Sequence, residues 1–178
     1  NAAIAQDPFD KATIYYGSQF VNKSTNKGAA WEQISGDLTT NDSAKIDQSN
    51  NGGISVDITG AENHCTILTI EPSPKEQGVI WVGTDDGNVQ CSRNGGTHWS
   101  NVKTNMPGAP RYAWVSRVTP SSHSPGRCYV TLDNHRYDDF SPYVYRTEDY
   151  GNTWTRISSN LPNGKSTYVI REDPVNPD

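Results

Sequence analysis

The sequence has little of what a helical or membrane protein needs. One of its 178 residues is Met and 33% are hydrophobic, and no apolar run approaches the ~20 residues of a membrane-spanning helix. Residues that form turns are frequent by contrast, with 15 Gly and 11 Pro. Because turn clusters recur between short β-branched and aromatic segments, the composition predicts an all-β fold.

Positive charge is also scarce. Lys and Arg number 15 against 20 Asp and Glu, which gives a formal net charge of −5. Recognition of DNA or RNA needs clustered positive charge. We therefore expect no nucleic-acid partner, and we expect no membrane span.

The three cysteines, Cys65, Cys91 and Cys128, are too few and too scattered for a disulfide scaffold, and they form no C-x-x-C metal pair. One disulfide with a free thiol and three buried thiols both fit this count. Because the sequence begins at Asn1 rather than Met, we expect a processed or excised segment.

One pattern, Ser/Thr-x-Asn/Asp-x-Gly-x-x-Trp, occurs three times and is called the repeat turn below. Its spacing fits a tight hairpin in which the Asn or Asp side chain accepts backbone N–H groups and Gly takes a positive φ. We expect each Trp to begin an outer strand and to pack between neighbouring units. The three copies consist of Ser24, Asn26, Gly28 and Trp31; Ser92, Asn94, Gly96 and Trp99; and Thr147, Asp149, Gly151 and Trp154.

Each repeat turn connects the last two strands of a β-rich unit for which the sequence predicts four antiparallel strands. Units of this kind at intervals of ~50–70 residues are typical of propeller blades. In each unit a strand that ends at a Pro precedes a second strand. The predicted pairs are 4–8 and 12–18, 67–72 and 79–84, and 115–120 and 127–132.

These units predict one partial propeller over residues 1–178, with blades at 1–60, 61–110 and 111–160. Residues 161–178 are expected to supply the first strand of a fourth blade, since Asp173-Pro174 repeats the phase of Asp7-Pro8. A closed ring needs about four to eight blades. We therefore expect either a piece of a longer propeller or two copies that form a six-bladed ring, and we favour the piece.

The repeat turn resembles the Asp-box of bacterial-neuraminidase-type repeats, Ser/Thr-x-Asp-x-Gly-x-Thr-Trp. The third copy matches this pattern in full, whereas Asn26 and Asn94 replace the Asp, and Ala30 and His98 replace the Thr. Residues 79–88 and 135–147 are also similar to sortilin-like and exo-sialidase-like bacterial propellers.

The resemblance implies an Asp-box propeller of the sialidase or sortilin-like type, in a secreted, periplasmic or cell-surface protein. It implies a binding or scaffold module for protein, peptide or glycan, with no self-contained catalysis. Sialidases, xyloglucanases, photosystem assembly factors and peptide-binding receptors all use such blades, so the resemblance specifies fold more closely than function.

Ligand sites are expected in the loops opposite the repeat turns, because loops on a rigid scaffold carry function. Residues 133–140 are the densest in chemical groups there. Tyr112, Trp114, Tyr137 and Phe140 could stack on sugar rings or peptide side chains, although Trp114 also fits a core position. The predicted ligand-binding residues are His135, Arg136, Tyr137, Arg111, Tyr112 and Arg117.

The alternative function is a fragment of a glycoside hydrolase, sialidase- or xyloglucanase-like. Two carboxylates ~5–9 Å apart can cleave a glycosidic bond, and the candidates are Asp85 or Asp86 from one blade with Asp138 or Asp139 from the next. Asp138 and Asp139 also fit a turn with an ion pair to Arg136 or Arg146. The Arg-Ile-Pro motif of sialidases is absent.

No cofactor is predicted. His64, His123 and His135 lie in different units without a close-spaced His or Cys partner, so we expect no zinc site. Calcium bound by loop oxygens in the Asn- and Asp-rich stretch 41–57 is the metal alternative, although this stretch lacks the spacing of an EF-hand.

Overall fold

A computed structural model describes residues 3–46 and 64–177. Its strands form three antiparallel sheets of four strands each, in which every strand pairs with its neighbour in sequence. The first sheet contains β1 (Ala3–Gln6), β2 (Ile14–Gly17), β3 (Val21–Ser24) and β4 (Glu32–Gln33). The second contains β5 (Ile67–Pro72), β6 (Ile80–Thr84), β7 (Val89–Ser92) and β8 (Ser100–Asn101). The third contains β9 (Trp114–Pro120), β10 (Cys128–Asn134), β11 (Asp139–Thr147) and β12 (Thr155–Arg156).

The helical content of the described residues is small. One turn of α-helix, α1 (Ser43–Ile46), follows the first sheet, and 3₁₀ turns cover Lys103–Asn105 and His135–Tyr137. No helix in 3–46 or 64–177 has the length and apolar character needed to cross a bilayer. The all-β prediction and the prediction of consecutive four-stranded propeller blades are confirmed.

Neighbouring blades contact each other closely along their inner strands. A Cβ added to Gly17 would lie 2.7 Å from Ile67 Cγ2, and one added to Gly83 would lie 2.3 Å from Val115 Cγ1. Both distances are far below van der Waals contact. Glycine at these two positions therefore lets the first strand of the next blade approach.

The core consists of two clusters that cross the blade boundaries. One joins the first and second sheets through residues such as Tyr15, Ile67 and Val82. The other joins the second and third sheets, where Trp81 and Trp154 meet edge to face with ring centroids 6.1 Å apart. The blades are held together by apolar side chains that are buried between neighbouring sheets.

The repeat turns have the predicted hydrogen bonds in all three copies. In the third copy the Thr147 hydroxyl donates to Asp149 Oδ1 at 2.8 Å and accepts the Gly151 N–H at 2.9 Å, while Asp149 accepts the Thr153 N–H at 2.8 Å. The equivalent bonds of Ser24 and Ser92 measure between 2.8 and 3.1 Å. The motif glycines have φ between +87° and +96°, where a side chain is strained.

The expectation for the motif tryptophans is right for two copies and wrong for the first. Trp154 is buried against the second sheet, and Trp99 packs on Ile34, the residue that follows the last strand of the first sheet. Trp31 is instead 46% exposed, and its ring contacts Tyr16 of its own sheet at 6.1 Å. Each covered Trp packs on the blade that precedes it, and the described residues contain no blade that precedes the first.

The predicted first strand of a fourth blade is not a strand. Residues 165–173 form no ladder with any strand of the described residues. They nevertheless lie along the third sheet, because Ser116 Oγ donates to the Thr167 carbonyl at 3.2 Å and Thr119 Oγ1 donates to the Ile170 carbonyl at 3.3 Å. The segment therefore lies beside β9 and is bound by its side chains, but it forms no backbone ladder with it.

The repeated phase at Asp173 is present in the hydrogen bonds. Asp173 Oδ1 accepts the N–H groups two and three residues ahead at 2.8 and 3.0 Å. Asp7 Oδ1 accepts the corresponding pair in the first blade at 2.8 and 3.2 Å. Both carboxylates thus form the same turn after an innermost segment.

All three cysteines are buried free thiols. Burial raises the pKa of Cys65 and of Cys91 to about 12. The thiols are therefore protonated at neutral pH, and of the two alternatives the structure has three buried thiols.

Candidate functional site

The ends of the strands opposite the repeat turns bring residues 111–114 beside residues 133–140. β9 begins at Trp114, which pairs with Asp133 at the end of β10. The 3₁₀ turn His135–Tyr137 follows directly and leads into β11. This arrangement places the predicted loop next to the connection that enters the third blade.

Asp133 orients the side chains of the loop that follows it. It is 3% exposed, and its Oδ2 lies 2.5 Å from His135 Nδ1 and 3.5 Å from Arg136 Nη1. Its other oxygen accepts the His135 N–H at 3.2 Å. A buried carboxylate needs such partners, so Asp133 fixes the direction of both side chains.

Cationic side chains of this part of the molecule lie against aromatic rings. The Arg136 guanidinium carbon is 3.2 Å from the centroid of a Trp114 ring. The Lys45 ammonium lies 3.9 Å from the Tyr112 centroid and donates to the Tyr137 hydroxyl at 2.7 Å. We call this surface the cationic–aromatic rim, and it consists of Lys45, Arg111, Tyr112, Trp114, Arg136 and Tyr137.

Two further aromatic side chains extend the rim on the side of His135. The Tyr168 hydroxyl is 3.3 Å from His135 Nδ1, and the Phe140 and His135 ring centroids are 6.5 Å apart. Phe140 is 44% and Tyr168 53% exposed. The segment after the third sheet therefore contributes to the same surface.

Of the six predicted ligand-binding residues, five meet at this surface and Arg117 does not. Arg117 lies further along β9, where its Nη1 contacts Glu71 Oε1 of the second sheet at 3.2 Å. Arg111, Tyr112, His135, Arg136 and Tyr137 lie at the rim or next to it.

Asp85 and Asp86 hold the connection between the first two blades. Asp86 is fully buried, and it accepts the Thr40 N–H at 2.5 Å and the Thr84 hydroxyl. Asp85 is 3% exposed and accepts the N–H and hydroxyl of Thr66 at 2.8 and 2.9 Å. Each carboxylate thus binds one end of the chain between β4 and β5.

Asp138 and Asp139 belong to the turn that leads into β11. Asp139 accepts the Asn134 amide at 2.9 Å and the Tyr143 hydroxyl at 2.8 Å. These and other hydrogen bonds hold its pKa at about 2 despite the opposing effect of burial. Asp138 is exposed and ends the 3₁₀ turn in the left-handed conformation at φ 58°. It is the most exposed of the four candidate carboxylates.

Burial gives Asp85 an unusual pKa and leads to a test by pH. Desolvation raises its pKa from 3.8 to about 6, although the Thr66 hydrogen bonds oppose this shift. Between about pH 4 and pH 6 the folded state then binds more protons than the unfolded state, so the free energy of unfolding falls as the pH rises through this window.

We expect Asp85→Asn to remove this pH dependence. Urea unfolding of both proteins at pH 4, 5, 6 and 7 should show the wild type losing stability relative to the variant as the pH rises. A stability difference that is constant across this range would show that the Asp85 pKa is not raised.

The residues described offer no evident metal centre. No group of three or more His, Cys, Asp or Glu side chains within 3–46 and 64–177 could hold an ion. His64 is buried 3.9 Å from Asp85, whereas His123 contacts the Asp173 carbonyl at 2.7 Å. Most of the predicted calcium stretch, residues 47–57, lies outside the described residues.

Comparison with known proteins identifies the architecture. No family model and no curated protein matches the sequence. Among solved structures, the GH74 xyloglucanase from Xanthomonas campestris superimposes with a TM-score of 0.60 at 19% identity, over 91% of this chain and 22% of that one. YCF48 from Cyanidioschyzon merolae gives 0.55 at 16% identity, over 88% of this chain and 36% of that one.

A structure of YCF48 bound to a D1 peptide is also similar, with a TM-score of 0.50 at 14% identity. It is covered over 42% of its length by 88% of this chain. At these identities the likeness shows the fold, which is that of β-propeller proteins. The chain spans about a fifth to two fifths of the length of these proteins.

Sequence reasoning missed Lys45 and the part that Asp133 plays. Lys45 is 92 residues from Tyr137 in sequence, and nothing in its local pattern distinguishes it from other surface lysines. Asp133 does carry a signal. It is a carboxylate at the end of a buried strand two residues before a histidine, which is the spacing of a side chain that caps the following turn.

Proposed function

We propose that this chain is a section of an Asp-box propeller that acts as a binding module. Its cationic–aromatic rim would hold an acidic peptide segment of a partner protein. The observation that carries the proposal is the Arg136 guanidinium, whose central carbon lies 3.2 Å from the centroid of a Trp114 ring and whose Nη1 lies 3.5 Å from buried Asp133. A cation fixed in this way loses little conformational freedom when it binds a carboxylate.

The composition of the rim supports a charged protein ligand. Arg, Tyr and Trp are the residues that most often dominate the energy of protein interfaces. The rim supplies three cationic side chains from three separate segments, Lys45, Arg111 and Arg136. The loop also carries three carboxylates, of which Asp133 and Asp139 are held by hydrogen bonds within the loop and Asp138 is exposed. The ammonium and guanidinium groups of the rim are the donors that would contact the carboxylates of such a ligand.

A binding assay with a defined probe tests this proposal. The probe is a fluorescein-labelled hexapeptide of alternating glutamate and tyrosine, and its glutamine counterpart is the uncharged control. We expect fluorescence anisotropy to show at least ten-fold weaker binding for the glutamine peptide and for the Arg136→Gln variant. Arg146→Gln is the matched control, since Arg146 is exposed on the same blade and pairs with Glu148 at 3.1 Å.

Three results would contradict the peptide proposal. Equal affinity of both peptides would exclude charge recognition. Binding of polygalacturonate but not of the acidic peptide, lost in Arg136→Gln, would make the rim a glycan site instead. Loss of binding in both arginine variants would point to a general charge effect rather than to the rim.

A glycoside hydrolase fragment is the second candidate, and one observation favours it. The pKa of Asp85 is raised to about 6, which is the range of a general acid. However, the Asp85 carboxylate is 3% exposed and binds Thr66. If the chain hydrolyses xyloglucan, Asp85→Asn should abolish release of reducing sugar. If the wild type releases no reducing sugar from xyloglucan, this candidate function loses its support.

We further propose that the module is completed by additional blades and acts outside the cytoplasm, as part of a longer chain or with a second copy. The exposed Trp31 and Tyr16 support the need for completion. The equivalent Trp99 and Trp154 are covered by a preceding blade.

A further inference from the structure

A cavity lies at the end of the innermost strands that is opposite the cationic–aromatic rim, on the side of the repeat turns. Its volume is about 460 Å³, which is within the usual range for small-molecule sites. All three blades contribute to it, together with the segment that follows the third sheet. Its apolar wall consists of Ile4, Pro8, Pro72, Pro74, Val118 and Pro120.

The charged side chains that line this cavity are Arg171 and Glu71, and Arg117, which is outside the lining, pairs with Glu71. Arg117 contacts Glu71 at 3.2 Å, and the Arg117 side chain is 30% exposed. Arg171 also lines the cavity, where its positive charge lowers the pKa of Glu71 against the larger effect of burial. With Glu71 ionised, the three side chains keep one positive charge.

The pairing of Arg117 with Glu71 leaves Arg171 as the charged donor of the cavity. Arg171 donates from Nη1 to the carbonyl of its neighbour Ile170 at 3.0 Å and makes no ion pair with the described carboxylates. Guanidinium groups are suited to bidentate contact with a carboxylate.

We propose that this cavity binds a small monocarboxylic acid with a branched apolar body. The carboxylate would contact Arg171, and the apolar body would pack against the proline wall. An inorganic oxyanion would match the charge but would leave the apolar wall in contact with water. The site is separate from the cationic–aromatic rim, and it does not depend on the function proposed for the rim.

Isothermal titration with N-acetyl-L-leucine and N-acetyl-L-leucinamide tests this assignment. The two probes share the apolar body and differ in the carboxylate. We expect the amide to bind at least ten-fold more weakly than the acid, and acetate, which lacks the branched body, to bind at least ten-fold more weakly as well. Arg171→Gln should weaken the acid ten-fold, and because Arg171 is exposed this variant is expected to fold.

Two control variants make the result specific. Arg146→Gln removes an exposed arginine from the outer part of the third blade, and Arg136→Gln removes the rim cation, so both should bind N-acetyl-L-leucine like the wild type. Equal affinity for acid and amide, undiminished binding in Arg171→Gln, or acetate binding as tightly as N-acetyl-L-leucine would each overturn the proposal. Loss of binding in Arg136→Gln but not in Arg171→Gln would move the site to the rim.

Discussion

Replacement of Trp154 by alanine is expected to lower the free energy of unfolding by about 3–5 kcal/mol, which is the usual cost for a buried tryptophan. Trp154 is 7% exposed, and it packs edge to face on Trp81 of the preceding blade. Its removal would open a cavity in the cluster that joins the second and third blades. Urea unfolding followed by circular dichroism measures the loss.

The same substitution at Trp31 is the matched control. Trp31 occupies the same motif position but is 46% exposed, and among the aromatic rings of residues 3–46 and 64–177 it contacts Tyr16 alone. We expect Trp31→Ala to cost less than about 1 kcal/mol, as for most surface changes. Similar losses at both positions would contradict an exposed Trp31 and would show that another blade or a second copy covers it in solution.

Asp86→Asn is expected to lower the free energy of unfolding by about 2–4 kcal/mol, because the buried groups around this carboxylate lose their charged partner. Asp86 accepts the Thr40 N–H at 2.5 Å and the Thr84 hydroxyl, and the asparagine amide can satisfy only part of this set. The Asp86 charge also favours the protonated form of buried Lys103, whose pKa burial lowers to about 8. The variant would leave that cation without its compensating carboxylate.

Asp138→Asn provides the comparison, since it makes the identical chemical change at another candidate carboxylate. Asp138 is exposed and left-handed, and asparagine tolerates that conformation as well as aspartate does. Its effect on the free energy of unfolding should stay within about 0.5 kcal/mol. A stable Asp86→Asn protein would contradict the structural part assigned to Asp86 and would return it to the candidates for catalysis.

The blades could be predicted because the same pattern of strands and turn occurs three times in the sequence. The repeat turn fixes a hairpin through the side chains of residues such as Thr147 and Asp149, so its geometry is local and readable from spacing. In each unit a strand that ends at a Pro and a second strand precede the repeat turn, and in the structure consecutive strands pair antiparallel. What failed, the burial of Trp31, depends on a neighbouring blade and not on the motif itself.

The candidate site was predictable only in part. The loop that holds His135, Arg136 and Tyr137 is dense in functional groups and could be found by composition. The contact of Lys45 with Tyr112 joins segments that are far apart in sequence, and no pattern announces it. Whether a carboxylate is buried or exposed also depends on tertiary packing, which is why Asp86 and Asp138 look alike in sequence and differ in the structure.

The central claim is that the cationic–aromatic rim is the ligand-binding surface. Its most direct test is a ¹⁵N-edited NMR titration with the acidic hexapeptide, in which the five indole N–H signals, assigned by mutation, report on separate parts of the chain. We predict that the Trp114 signal shifts progressively to saturation, because Trp114 lies under Arg136, whereas the signals of Trp31 and Trp81 stay in place. Saturation at Trp31 with an unchanged Trp114 would contradict the account.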